Sequence, residues 1–302
     1  MPNNIQITVK LCGGLGNQMF QYAYAKKIAG LYPKSQLVLD TSYFNCKHIR
    51  NLEINQYILA DNVSYSATSS FIGDKAFVLY KIFNKLTCRK FKMPVWLIKR
   101  GFWYENNDFV IPSPLPTNLR RIYMGGYFQN ELEIRSIYTQ LIHDFTPKHS
   151  LSAPVQALLT QINATPNAVG ISIRLGKDYQ QLGWPICQKA FYLAGLKELQ
   201  RHITLGKIFV FSDEIEQVKQ EGWFDGYNAV FIPELSPVES LELLRACKHF
   251  VISNSTFAWW GAYLGQATDK KIIAPKLFRK PMEGSPLALP NAIYLDNQTG
   301  EK

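Results

Sequence analysis

At 302 residues the chain has the length of one large domain or of two of about 150 residues each. Its 47% hydrophobic and 19% charged content is that of a globular protein and excludes disorder, and no uninterrupted apolar run is long enough to span a membrane. The net charge of +10 is concentrated: Lys75 to Tyr104 holds eight basic residues and no acidic one, which leaves the remainder close to neutral. The opening, MPNNIQITVK, has no basic stretch followed by an apolar one, so a cytoplasmic or peripheral location is expected. Five cysteines, Cys12, Cys46, Cys88, Cys187 and Cys247, are odd in number and never form a C-x-x-C pair. Reduced thiols filling core volume are therefore expected, rather than a disulfide framework or a zinc site.

Ile5–Leu11 alternates like a strand and runs into Gly13-Gly14-Leu15-Gly16-Asn17-Gln18, after which Met19–Leu31 has the mixture of a buried helix. Strand, glycine-rich turn and helix together bring backbone N–H groups and a positive helix end to an anion or a polar sugar. The turn is neither a G-x-G-x-x-G nor a Walker loop, so ATP hydrolysis and a standard dinucleotide site lose support. A tight turn alone would also need the glycines. The amides of Asn17 and Gln18 at a helix start suit sugar hydroxyls, and Gly14, Gly16, Asn17 and Gln18 are the candidate contacts here.

Gln36–Asp40 reads as a second strand. In the basic stretch Leu79, Phe83 and Leu86 share a helical face, giving a helical insertion over about 75–104. A helix with apolar and basic faces either lies on an anionic membrane surface or packs on its own domain. Pro112, Pro114 and Pro116 mark an irregular loop. Ile122–Gln129 is strand-like, and Asn130–Phe145 reads as one helix capped by Asn130, with Glu131 and Glu133 in its first turn. Thr146–Ser150 is the expected hinge, dividing the chain into residues 1–148 and 149–302. Beyond it strands at Val169–Arg174, Ile208–Ser212, Ala229–Pro233, Phe250–Asn254 and Lys271–Ala274 alternate with helices near Cys187–Ile203, Glu214–Glu221, Pro237–Cys247 and Phe257–Gly265. That alternation implies a parallel, doubly wound sheet.

Three of these strand ends deliver polar residues to one sheet edge, where α/β proteins hold ligands: Arg174 to Asp178, Ser212-Asp213, and Asn254-Ser255-Thr256. Taken singly, each has a plainer reading, as a strand-end arginine paired with a carboxylate or as helix caps. Converging, they favour a phosphate-bearing nucleotide. Trp259 and Trp260 are expected in the core rather than stacked on a sugar.

The motifs resemble those of the galactoside 2-alpha-L-fucosyltransferases of bacteria and animals. Gly13–Ala23 (GGLGNQMFQYA) looks like that family's N-terminal motif, Gly126–Glu131 (GYFQNE) its middle one, and Ile173–Tyr179 its donor motif. Phe211-Ser212-Asp213 and Ile252–Ala262 (ISNSTFAWWGA) are similar to the last two. The resemblance implies an α/β, GT-B-like fold, with two Rossmann-like domains facing a central cleft. It implies an acceptor-side domain at 1–148 and a GDP-fucose-binding domain at 149–302. It also implies inverting transfer to the 2-hydroxyl of a terminal galactoside without a metal, in cell-envelope glycan (O-antigen or capsule) synthesis. Lipid-linked glycan as acceptor and peripheral contact with the cytoplasmic face of the inner membrane would follow. Ser172 and Leu175 stand where the family has histidine and a second arginine, and Lys177 is extra, so guanine recognition does not carry over at position 172.

Transfer from a nucleotide sugar requires the departing diphosphate to be neutralised. No D-x-D pair occurs, so no metal is expected, and Arg174 with the Ser255/Thr256 helix end is assigned that work. Asp178 is assigned as base or as a clamp on Arg174, with Asp213 as the rival and phosphate itself as a further proton acceptor. Competing readings are a same-fold transferase with another linkage or donor, and a non-catalytic nucleotide-sugar-binding protein. Nucleic-acid binding is not expected, because the cations fall in one insertion and no recognition motif is present.

Overall fold

The computed structural model describes residues 5–32, 34–45, 50–68, 75, 78, 79, 82, 86, 95–105, 116, 118–176, 183–278 and 280–302. Lys177 and Asp178 lie outside them, as do Cys46, Phe83, Cys88, Pro112, Pro114 and most of the basic stretch. The chain divides into two compact units, Met1–Lys148 and His149–Lys302.

In the first unit all strand pairings are parallel: β1 (Gln6–Lys10), β2 (Gln36–Asp40), β3 (Val63–Ser66), β4 (Phe102–Tyr104) and β5 (Arg121–Gly125), in the order β3-β2-β1-β5-β4. Helix α1 (Leu15–Ala29) follows β1 and buries 12 of its 15 residues, which explains its apolar and small side chains on every face. It begins at the glycine turn, so Asn17 and Gln18 belong to its first turn. The aromatics Phe102-Trp103-Tyr104 are not the tail of a helical insertion. They form edge strand β4, with Trp103 fully buried, preceded by short helix α2 (Val95–Lys99).

The strand expected to run to Gln129 stops at Gly125, because Gly126 (φ +151°) and Phe128 (φ 52°) leave the extended region. Asn130 does cap a helix, its side chain accepting from the Glu133 N–H. That helix is broken, however, into α3 (Glu131–Ile134), a 3-10 turn at Arg135–Ile137 and α4 (Tyr138–Asp144).

The second unit opens with α5 (Ala153–Ala164), a helix without a sequence expectation. A six-stranded sheet follows, again parallel throughout: β6 (Val169–Ile173), β7 (Ile208–Ser212), β8 (Ala229–Phe231), β9 (His249–Ile252), β10 (Ile272–Pro275) and β11 (Ala292–Leu295), in the order β11-β10-β9-β6-β7-β8. Helices α6 (Lys189–Gln200), α7 (Ile215–Gln220), α8 (Pro237–Ala246) and α9 (Thr256–Leu264) connect the strands. Val169, Ile171, Phe191, Leu196, Val210 and Val251 anchor the core of this unit. Helices α8 and α9 pass so close that a Cβ on Gly261 would sit 2.4 Å from Leu244.

Both sheets are wound outward from their first strand and then reverse to its other side. The reversal lies between β1 and β5 in the first unit and between β6 and β9 in the second. Such switch points are where open parallel sheets leave a crevice at the carboxyl ends of their strands.

Candidate functional site

In the second unit the three polar strand ends belong to neighbours, since β6 lies between β9 and β7. Arg174 follows β6, and its Nη1 is 2.9 Å from Asp213 Oδ2, with both side chains largely buried. The same carboxylate accepts the N–H of Leu175 at 2.9 Å through Oδ1 and that of Gly176 at 2.8 Å through Oδ2. Asp213 thus holds the turn after β6 and the guanidinium together. A charge-assisted pairing of this kind fixes a rigid fork far better than packing does. A clamp on Arg174 is therefore provided by Asp213, while Asp178 is outside the described residues. The plainer reading of Arg174, an arginine paired with a carboxylate, is realised in the same contact.

Under this turn lies the fully buried Tyr192. Burial drives its pKa well above the ordinary phenol value, the neighbouring Cys187 thiol acts in the same direction, and the Arg174 backbone N–H acts against it. Burial likewise raises the Cys187 thiol to about 12. Leu175 is buried in the core cluster. Ser172 is buried in β6, and its carbonyl accepts the Ser253 N–H at 2.9 Å.

Beyond β9, Ser255 takes the N-cap position of α9 without a side-chain capping bond. The first N–H groups of that nine-residue helix are left to another acceptor, the geometry that seats anions. The neighbouring Ser253 hydroxyl is buried and has no hydrogen-bond partner among the described residues. Thr256 opens the helix, half-buried.

Asn254 behaves differently from its expectation as a ligand contact, whereas Ser212 is half-buried and keeps its hydroxyl proton. The Ser212 hydroxyl accepts the Glu214 N–H at 3.0 Å, a turn cap ahead of α7. Asn254 is fully buried and its Nδ2 donates to the carbonyls of Pro185 (2.8 Å) and Phe278 (3.2 Å). It ties two loops beneath the site. Trp259 and Trp260 are core residues as expected, packed edge to face at 5.1 Å, with the Trp259 indole N–H on the Leu287 carbonyl.

In the first unit the β1–β5 switch point is framed by the glycine turn and the Gly126–Gln129 loop. Gly13 has φ +78°, and a Cβ there would lie 2.6 Å from Asn17 Nδ2, so the turn and the helix start close on each other. The Asn17 Oδ1 accepts from Gln129 Nε2 at 3.0 Å across the switch point. Gln18 is not aimed at a ligand. It is fully buried, donating to the Gly13 (3.0 Å) and Asn51 (2.9 Å) carbonyls and accepting the N–H groups of Glu53 (3.0 Å) and Ile54 (3.1 Å). Gln21 plays the same part toward β5, accepting from the Cys12 N–H and donating to the Gly126 carbonyl, both at 3.0 Å. Gly14 is half-buried, a Cβ on it would lie 3.9 Å from the Arg50 side chain, and Gly16 is buried. Among the described residues no group of three or more His, Cys, Asp or Glu is placed to hold a metal ion, and no helix is long and apolar enough to cross a membrane.

One carboxylate at this edge, Glu105 at the end of β4, escaped the sequence reading. Its signal is its place as the first acid after the acid-free stretch, directly behind the aromatic strand Phe102-Trp103-Tyr104.

Two parallel, doubly wound units with polar strand ends at their switch points make this an α/β protein of the GT-B-like class. Within that class the chain belongs to glycosyl transferase family 11, whose model matches residues 4–301. It is 24% identical over 309 residues to the O-antigen biosynthesis glycosyltransferase WbnK of Escherichia coli, covering 94% of this chain and 99% of that one. It is 27% identical over 278 residues to an alpha-1,2-colitosyltransferase of Escherichia coli, covering 89% and 91%. Among solved structures, NodZ alpha-1,6-fucosyltransferase soaked with GDP-fucose shares the fold with a TM-score of 0.52 at 12% identity, covering 86% of this chain and 92% of that one. POFUT1 in complex with GDP does so with a TM-score of 0.50 at 13% identity, covering 91% and 98%.

Proposed function

We propose that this glycosyltransferase moves L-fucose from GDP-fucose to the 2-hydroxyl of a terminal galactoside, with inversion and without a metal, in the synthesis of a cell-envelope glycan such as O-antigen. The observation that carries the reading is Arg174, held by Asp213 at the β6–β9 switch point beside the uncapped start of α9. Loss of the sugar from a nucleotide diphosphate builds negative charge on the leaving group. A fixed guanidinium and a helix N-terminus meet that charge without reorganisation. The motif set supports the sugar, the name of the alpha-1,2-colitosyltransferase relative supports the 2-linkage, and that of WbnK supports the O-antigen context.

On this reading the donor binds residues 149–302 and the acceptor residues 1–148. Asp213 is committed to Arg174 and two backbone N–H groups, which leaves Asp178 or the donor phosphate to take the acceptor proton.

A second reading has its own support: a different deoxy sugar on the same fold. One relative is named for colitosyl transfer, and the donor strand departs from the fucosyltransferase motif at Ser172 and Leu175. Both readings are tested by mass spectrometry of products from GDP-fucose, GDP-colitose, GDP-mannose and UDP-galactose with terminal β-galactosides in the presence of EDTA. A fucosylated galactoside that disappears in Arg174→Ala, with a rate loss of about 100- to 1000-fold, is the expected result. Product from another donor, and none from GDP-fucose, sinks the fucosyl reading.

We also propose that the acid-free stretch lies on an anionic membrane surface. Its helical positions Val78, Leu79, Ile82 and Leu86 recur at helical spacing and all are exposed, as are Val95 and Trp96 beyond them. The Arg100 guanidinium sits 5.5 Å from the Trp96 ring centre. An exposed apolar stripe in a segment without acids is the pattern of an interfacial helix.

A further inference from the structure

Glu105 is unusual for a carboxylate at a strand end. Its backbone N–H completes the ladder to the Gly125 carbonyl at 2.9 Å, after which its side chain turns back under the loop that follows β5. Oε2 accepts the Tyr127 N–H at 2.6 Å, and the N–H groups of Phe128 and Gln129 bond to the same carboxylate. Burial pushes its pKa up, against the three N–H groups that favour the anion. Three successive backbone N–H groups converging on one anion form a nest, and a nest needs residues of alternating hand. Here Phe128 adopts φ 52°, rare for a bulky side chain, with its buried ring stacked on Tyr24 at 4.8 Å. Gly126 is required at φ +151°, since a Cβ would lie 2.3 Å from Glu105 Cβ and 2.9 Å from its Oε2.

The strained loop thus wraps an internal anion. What it presents is the exposed Tyr127 ring and the Gln129 amide, tied at 3.0 Å to Asn17 on the other side of the switch point. Amides and an aromatic face are the groups that bind a sugar's hydroxyls and C–H face.

We propose that Glu105 is a positioning residue: by occupying the nest it fixes Asn17, Gln129 and Tyr127 as the recognition edge for the acceptor sugar. The inference rests on the assignment of acceptor binding to the first unit, and it deepens that assignment. Removal of the anion, as in Glu105→Gln, sets an amide N–H against backbone N–H groups and releases the loop.

The test measures the dissociation constant of lactose, as probe for a terminal galactoside, by saturation-transfer NMR on the GDP-loaded full chain, alongside the GDP dissociation constant. Wherever turnover is seen, acceptor and donor KM are measured separately. Glu105→Gln is expected to weaken lactose, and to raise acceptor KM, by about tenfold or more, while GDP affinity and donor KM stay at wild-type values. Gln129→Ala, which leaves the nest intact, is expected to reproduce the acceptor effect should Glu105→Gln fold poorly. The proposal is overturned if wild type does not bind lactose, if neither variant changes lactose affinity, or if GDP affinity falls in parallel. Because lactose binding is read without turnover, a wrong donor assignment leaves this outcome distinct.

Discussion

Gln18, Gln21 and Asn254 show how a polar side chain in a ligand-like motif serves the backbone instead. Each is fully buried: Gln18 and Gln21 spend their amides on carbonyls and N–H groups, and Asn254 donates to the carbonyls of Pro185 and Phe278. A glutamine at a helix start has the same residue type whether it points to a ligand or into the protein. Only the position of the 51–54 loop decides the matter for Gln18. Gln18→Ala would leave the half-buried Glu53 N–H and the buried Ile54 N–H without their acceptor, at a cost of about 2–4 kcal/mol. Urea unfolding is expected to show that loss while GDP affinity of the folded protein is unchanged. A variant of full stability and weakened ligand affinity would show instead that the amide contacts ligand. Asp213 is the converse case: flagged as polar, it proves to organise both the turn after β6 and the arginine that the turn carries.

At the scale of elements, local chemistry was legible where it repeats a known device. The Ser236-Pro237-Val238-Glu239 start of α8 is a capping box with proline at its first position, and both Ser236 and Ser152 hydroxyls donate to Glu239. Less legible was the broken helix after Asn130, because no glycine or proline marks the break between Glu131 and Asp144. Helix α8 also holds a titrating group. Burial raises Glu242 from 4.5 to about 7, with Arg245 at 3.1 Å opposing the shift. The unfolded chain gives up this proton near pH 4.5 while the folded chain keeps it to about 7. The contribution is therefore full below the lower value and lost as pH rises through the upper one. Glu242→Gln lacks that loss, so its stability relative to wild type should rise by up to about 3 kcal/mol between pH 5 and pH 8 in urea unfolding. Parallel pH trends in the two proteins would exclude the effect.

Across the whole molecule one plan is used twice: a parallel sheet, a reversal of strand order, and polar strand ends gathered at the reversal. The repeated plan explains why motifs far apart in sequence, such as Gly13–Gln18 and Gly126–Gln129, meet at a single edge. The charge asymmetry belongs to this scale too. A variant with Lys75, Lys85, Lys99 and Arg100 all changed to glutamate should lose sedimentation with phosphatidylglycerol vesicles, each surface cation being worth about 1 kcal/mol, and should show no change with phosphatidylcholine. Unchanged sedimentation of this variant would mean that the stretch does not dock through its charge.

The sequence by itself determined the parallel α/β architecture, the family, and the strand ends that carry Arg174, Asp213 and the α9 start. These depend on period, β-branched runs and local turn chemistry, which neighbouring residues encode. The tertiary structure alone decided which polar groups remain to meet a ligand and which are consumed by the fold. It buried Gln18 and Asn254, gave Asp213 to Arg174, made an edge strand of Phe102–Tyr104, and set Glu105 beneath a loop more than twenty residues away. The reason is that a hydrogen-bond partner supplied by a distant segment leaves no periodic trace in the chain.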